Sequence, residues 1–376
     1  MDSYITTQVK LSVCMITYNH EEFIAKALES VLMQKANFEF EIVIGEDCST
    51  DKTREILLGY KAKYPDKIRL ILNNKNIGVQ RNFCNVFGSC RGEYIALLEG
   101  DDYWTDPDKL QKQVMFLESH PDYVACYHDT TIVNTNGITI ADSKIPEISK
   151  KDYTKYEMIE GKTFIPTLTL VSRNILKNFP SEFNKVKNGD NFLTSLLGRH
   201  GKCKYLDEIQ PAAYRKHFGG IWSGLSERDK ILSKINTYYH MYLYYLKIGE
   251  IKYATSYMNK IINLKEKLKC IVKLGEKEHS NNCSKHKKKN GIQNNIITPN
   301  TCDRVMEPLR IVCFKWFHPN GRYNKITVYG ATHVNNLARM IKKNLKIPHE
   351  FVCITDNAHG IINPANNYSQ NELNML

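Results

Sequence analysis

Along the first hundred positions, short continuous apolar runs alternate with runs at helical spacing, the pattern of a mostly parallel sheet covered by helices. Residues 11–16 read as a first strand, broken by Thr17, Tyr18, Asn19 and His20. Phe23, Ala27, Leu28, Val31 and Leu32 then share one helical face. A second strand over 40–45 runs into Glu46-Asp47-Cys48-Ser49-Thr50-Asp51, where Ser49 or Thr50 is expected to cap the helix carrying Ile56, Leu57 and Tyr60. A strand over 68–72, a helix over 80–88 and a strand over 94–98 follow, the last ending in Glu99-Gly100-Asp101-Asp102.

The pattern becomes mixed from 103 to about 225, with helices expected over 109–119 and 192–197 and strands over 123–128 and 167–171. Over 228–272, Ile231, Ile235, Tyr238, Tyr242 and Tyr245, then Tyr257, Ile261, Leu264 and Leu268, predict a helical hairpin broken near Gly249, its tyrosines serving as packing groups. Strands over 309–316 and 350–355 around a helix over 332–345 predict the start of another α/β unit with too few residues to finish it. The expected organisation is an α/β domain over 1–227, a helical hairpin over 228–274, a basic flexible linker over 275–305 and an incomplete second α/β unit over 306–376.

Composition adds limits. With 42% apolar and 24% charged residues the chain of 376 is globular, and disordered, collagenous and coiled-coil classes are excluded. No apolar run reaches the roughly 18 residues of a membrane span and the start lacks a signal-peptide pattern, so a cytoplasmic protein is expected. Eleven scattered cysteines without a CxxC pair read as reduced, buried groups, and His279, Cys283 and His286 lack a fourth zinc ligand. The net charge is +12, and residues 265–290, with nine Lys and three acids, hold half of it. That basic segment suggests peripheral contact with anionic lipid at an inner membrane face. A nucleic-acid-binding protein is the alternative that the charge raises, but it requires basic residues interleaved with aromatics across the core, and the charge lies outside it.

Chemistry concentrates at two strand ends, with Glu46 and Asp47 after one and Glu99, Asp101 and Asp102 after the other. Ligands of open α/β sheets bind at the carboxyl ends of strands. Acids clustered there repel one another unless a cation sits among them, and Mg2+ or Mn2+ with open positions for phosphate meets that need. No GxGxxG, GxSxG or HExxH is present, and Gly161-Lys162-Thr163 has Tyr156 where a P-loop begins with Gly. Phosphate contacts then fall to the metal and to basic side chains such as Arg81 or Arg215. A nucleotidyltransferase would share this metal and carboxylate chemistry.

The segments Ser12 to Asn19, Glu46 to Asp51, and Gly92 to Ile95 leading into Glu99-Gly100-Asp101-Asp102 together resemble glycosyltransferase family 2 over residues 10–225. The resemblance implies a GT-A type fold, a nucleotide-diphospho-sugar donor, a divalent metal, and inverting transfer to a hydroxyl of a glycan or lipid-linked acceptor in cell-surface polysaccharide or lipopolysaccharide synthesis. By position, Thr17, Tyr18 and Glu21 would wrap the base and ribose, and Asp47 would bond the base. Asp101 would meet the sugar or ribose and share the metal with Asp102, while Glu99 departs from the family's Asp. Asp190, in Asn188-Gly189-Asp190, matches the general base. His217 would be a further metal ligand or diphosphate donor, Arg215 or Lys216 would offset leaving-group charge, and residues 165–169 would face the acceptor. The C-terminal piece resembles the opening of another GT-A-like transferase without its DxD region.

Overall fold

The computed structural model describes residues 9–217, 220 and 224–287, and three strands beyond them. The chain divides into two units, Met1–Asn290 and Gly291–Leu376.

In the first unit the sheet begins as the apolar runs predict. Strands β1 (Leu11–Thr17), β2 (Phe40–Glu46), β3 (Ile68–Leu72) and β4 (Tyr94–Glu99) are parallel. Helices α1 (Ile24–Leu32), α2 (Thr53–Lys63) and α3 (Val79–Ser89) connect them. Leu11, Val13 and Met15 pack on one face with Ile24, Leu28 and Val31, while Cys14 packs on the other with Val86 and Phe87. Burial on both faces explains why β1 reads as a continuous run rather than an alternation. Each fully buried Leu, Ile or Val here contributes about 1.5–3 kcal/mol.

The second half of the unit completes the same sheet through α4 (Lys109–Ser119), β5 (Tyr123–Tyr127), β6 (Thr130–Val133), β7 (Thr139–Ala141), α5 (Lys155–Ile159), β8 (Val171–Arg173), α6 (Gly189–Gly198), β9 (Lys202–Tyr205) and β10 (Ala212–Arg215). The seven-stranded order is β3-β2-β1-β4-β8-β5-β9, with β8 antiparallel to both neighbours. A small sheet, β10-β6-β7, stands beside it. The result is the expected mostly parallel, helix-flanked α/β arrangement.

Four local expectations change. The strand expected over 167–171 is a 3-10 turn, Thr167–Thr169, followed by β8, because Thr169 bonds back to the Pro166 carbonyl through both its N–H and its hydroxyl. Neither Ser49 nor Thr50 caps α2; Asp51 Oδ1 accepts the Thr53 N–H at 2.9 Å, and the two hydroxyl residues bond the loop after β1 instead. The hairpin helices α7 (Glu227–Lys247) and α8 (Ile251–Lys287) flank Gly249 at φ 78°, but they share the domain's core: Met241, Tyr244, Tyr245, Ala254 and Tyr257 pack with Phe192 and Leu196. Finally, α8 runs on to Lys287, into the segment expected as a flexible linker, because its Lys, Glu and Leu residues favour helix.

In the second unit β11 (Leu309–Lys315), β12 (His349–Thr355) and β13 (Asn366–Tyr368) form a parallel sheet. The helix expected over 332–345 and the side chains of His279, Cys283 and His286 lie outside the described residues.

Candidate active site

The loops after β1 and β2 are knit together. Asn19 takes φ 55°, a left-handed conformation that Asn tolerates better than most side chains. Its N–H donates to Ser49 Oγ at 2.9 Å and its Oδ1 accepts the Thr50 N–H at 2.8 Å. One residue on, His20 N–H donates to Thr53 Oγ1, and Glu21 exchanges bonds with Asp51 and the Lys52 N–H. Tyr18 stands exposed at the rim. Asp47 is buried and accepts from Asn73 Nδ2 and from the N–H groups of Ile77 and Gly78, so it shapes the loop before α3.

At the end of β4 the chain turns through Gly100, where a Cβ would lie 2.6 Å from Thr17 Oγ1. Asp101 Oδ2 sits 3.0 Å from His217 Nε2 and 3.9 Å from His20 Nε2. Burial opposes its charge, but the His217 bond and the nearby His20 hold its carboxyl below the ordinary range. The ligating atoms of His20, Asp101 and His217 all lie within 4.8 Å of one another, and this set of two imidazoles and one carboxylate fits a divalent cation. Asp102 lies outside that cluster: it is buried, its Oδ1 accepts the Arg215 N–H at 2.7 Å, and burial with Asp101 and Glu99 pushes its carboxyl well above the ordinary range.

Beside this cluster is a cavity of about 470 Å³. Glu99, Lys144, Asp190 and Tyr214 face it, with residues 163–167 on one wall and Lys234 and Tyr238 on another. Asp190, in the first turn of α6, opens onto the cavity; the surrounding protein raises its carboxyl above the ordinary value against the pull of Asn191 and Lys144. Glu99 Oε2 is buried without a hydrogen-bond partner, and burial with the adjacent Asp101 pushes this carboxyl up to about 7. Lys144 Nζ lies 3.1 Å from the Tyr214 ring centre; burial lowers it against the attraction of Asp102, Glu99, Asp190 and Asp101.

The structure thus brings Asp101 and His217 together, places Asp190 on the cavity wall with Glu99, and leaves two basic candidates apart from open phosphate chemistry. Arg81 is an exposed residue of α3 outside the cavity wall. The Arg215 guanidinium is buried over Phe23 and bonds the carbonyls of Asp101, Asn134 and Thr135. Sequence reasoning missed His20 and Lys144. His20 directly follows the Thr17-Tyr18-Asn19 run and was within reach of that signal; Lys144 sits in an irregular stretch with no pattern to mark it. Tyr238, expected as packing, lines the cavity.

Residues 12–179 match the family model described as Glycosyl transferase family 2. The uncharacterized protein Rv1520 of Mycobacterium tuberculosis is 38% identical over 223 residues, 58% of this chain and 63% of that protein. The poly(ribitol-phosphate) beta-N-acetylglucosaminyltransferase TarS of Staphylococcus aureus is 30% identical over 132 residues, 35% of this chain and 22% of that protein. A crystal structure of S. aureus TarS 1-349 in complex with UDP-GlcNAc is similar with TM-score 0.47 and 23% identity, covering 62% of this chain and 66% of that one. The chain spans less than two thirds of the length of these relatives.

Proposed function

We propose that the chain is a metal-dependent inverting glycosyltransferase that moves a sugar from a nucleotide diphosphate to a hydroxyl of a cell-surface polysaccharide or its lipid-linked precursor. The carrying observation is that Asp190 and Glu99 line one cavity, and that Glu99 ends the strand leading into Asp101, which pairs with His217. The joined loops at Tyr18–Glu21 and Asp47–Asp51 form the donor side, with Tyr18 available to the base. Asp190 takes the acceptor proton on a carboxylate oxygen as that hydroxyl attacks the anomeric carbon and the bond to the diphosphate breaks. Lys144 draws the Asp190 carboxyl back toward its ordinary range and is itself attracted by the neighbouring Asp102, Glu99 and Asp101. Bound by Asp101 and His217, a divalent cation would compensate the charge of the departing nucleoside diphosphate.

No helix among the described residues is long and apolar enough to cross a membrane. A cytoplasmic protein that meets lipid-linked acceptors through its Lys-rich segment at an inner membrane face accords with that. Residues 306–376 are read as the opening of a second transferase-like unit. The test is release of nucleoside diphosphate from a panel of nucleotide sugars with Mn2+ and glycan or lipid-linked acceptors. Release of pyrophosphate from a nucleoside triphosphate and a sugar 1-phosphate instead would make the protein a nucleotidyltransferase.

A further inference from the structure

We propose that His20, carried on the loop after β1, is a third ligand of the divalent cation and makes the site select Mn2+ over Mg2+. The inference deepens the transferase reading, but the geometry behind it is independent of which sugar is moved. His20 and His217 approach Asp101 Oδ2 from two sides, their rings edge to face with centroids 6.0 Å apart. An ion between them needs only small rotations to meet all three atoms, since none is more than 4.8 Å from another.

The surroundings hold His20 in place for such a role. Thr17 Oγ1 lies 3.1 Å from His20 Nδ1, so the inner ring nitrogen is engaged and Nε2 is the one that faces Asp101. Ligating histidines are oriented in this way, by a partner on the nitrogen that does not bind. The His20 main chain is fixed as well, through Thr53 Oγ1 at 2.8 Å. Opposite, a Cβ on Gly100 would come within 3.0 Å of His20 Nδ1, so the end of β4 is shaped around the Thr17 and His20 pair. His217 is backed by the Phe23 ring at 4.9 Å.

The donor set decides the ion. Mg2+ favours oxygen ligands and retains its waters, whereas imidazole nitrogen is a better ligand for the later divalent ions. Two imidazoles and one carboxylate on one side of an octahedral ion leave about three positions for diphosphate oxygens and water. Asp102, with Oδ1 bound to the Arg215 N–H, does not belong to the set.

The experiment is Mn2+ titration of the full chain without nucleotide sugar, followed by the electron spin resonance of free Mn2+, with Mg2+ as competitor. Nitrogen couplings of bound Mn2+ count the imidazoles. The wild-type protein is expected to show two imidazole couplings and to keep Mn2+ against a large excess of Mg2+. His20→Gln should lose one coupling and weaken Mn2+ binding by roughly tenfold or more. His20→Asp, with an oxygen donor, should bind again but with Mg2+ competing better; it also serves if His20→Gln does not fold. Unchanged affinity and couplings in both variants, or no Mn2+ bound by the wild type, would overturn the proposal. Neither result bears on whether sugar transfer occurs, which the nucleotide-sugar assay reads separately.

Discussion

Asp102 Oδ1 accepts the main-chain N–H of Arg215 at 2.7 Å, while the Arg215 guanidinium returns a bond to the carbonyl of Asp101 at 2.9 Å. The end of β4 and the end of β10 are thereby clasped together at Asp101 and Asp102, next to the Asp101–His217 contact. Asp102→Asn keeps the oxygen that accepts the Arg215 N–H, so its urea unfolding should match wild type. Asp102→Ala leaves a buried N–H without a partner and should cost about 1–3 kcal/mol. Equal stability of the two variants would show that the clasp holds nothing.

Asp190→Asn should lower sugar transfer by roughly 10²- to 10⁴-fold, the usual share of a general base. Its carboxylate sits on the cavity wall and supports no strand contact, so the melting temperature should stay near wild type. Full turnover by this variant in the diphosphate-release assay would remove Asp190 from the mechanism.

Lys109 gives the clearest pH signature. Its amine is fully buried, donates to Gln113 Oε1 at 2.6 Å and lies 4.2 Å from the Trp104 ring centre, and burial lowers its pKa to about 7. Between about 7 and the ordinary lysine value, the unfolded chain binds more protons than the folded one, so stability should rise with pH across that window and level off below it. Urea unfolding at pH 7 and pH 9.5 should show the rise in wild type. Lys109→Met should abolish it and be more stable at pH 7. A wild-type curve that falls over the same range would refute the assignment.

Asn19 separates backbone strain from hydrogen bonding. Asn19→Gly keeps access to φ 55° but loses the Thr50 bond, whereas Asn19→Ala loses both. The Ala variant should therefore be the less stable by about 1 kcal/mol. Thermal unfolding of the pair decides this, and a more stable Ala variant would contradict it.

Most of the half up to β4 was legible because its signals are local. Strand runs such as 11–16 and 94–98 are buried on both faces, and the acids that follow them have no other place to go than the strand ends. The half after β4 was harder to read. Residues 163–169 look β-like in composition, but Pro166 and the Thr169 back-bond turn them into a wall, and Lys144 acquires its place only when β6 and β10 pair. Likewise the many tyrosines of the hairpin read as packing, which holds for Tyr245 and Tyr257, both bonded to Ser195, and for Tyr238, which packs on Tyr257 and also lines the cavity. A residue's neighbours three or four positions away show in sequence; those fifty or a hundred away do not.

The reversed strand β8 has a consequence for how such a protein diversifies. Because it runs against β4, with Val171 opposite Ala96, the residues that precede it arrive at the same sheet edge that the residues following β1, β2 and β4 leave. The stretches that would meet the donor, at 17–51 and 99–102, are thus encoded apart from the stretch at 163–169. Under the proposed transferase reading, insertions or exchanges in that later stretch re-specify the acceptor while the sugar-nucleotide half is inherited unchanged, so the two substrate preferences are free to evolve at different rates.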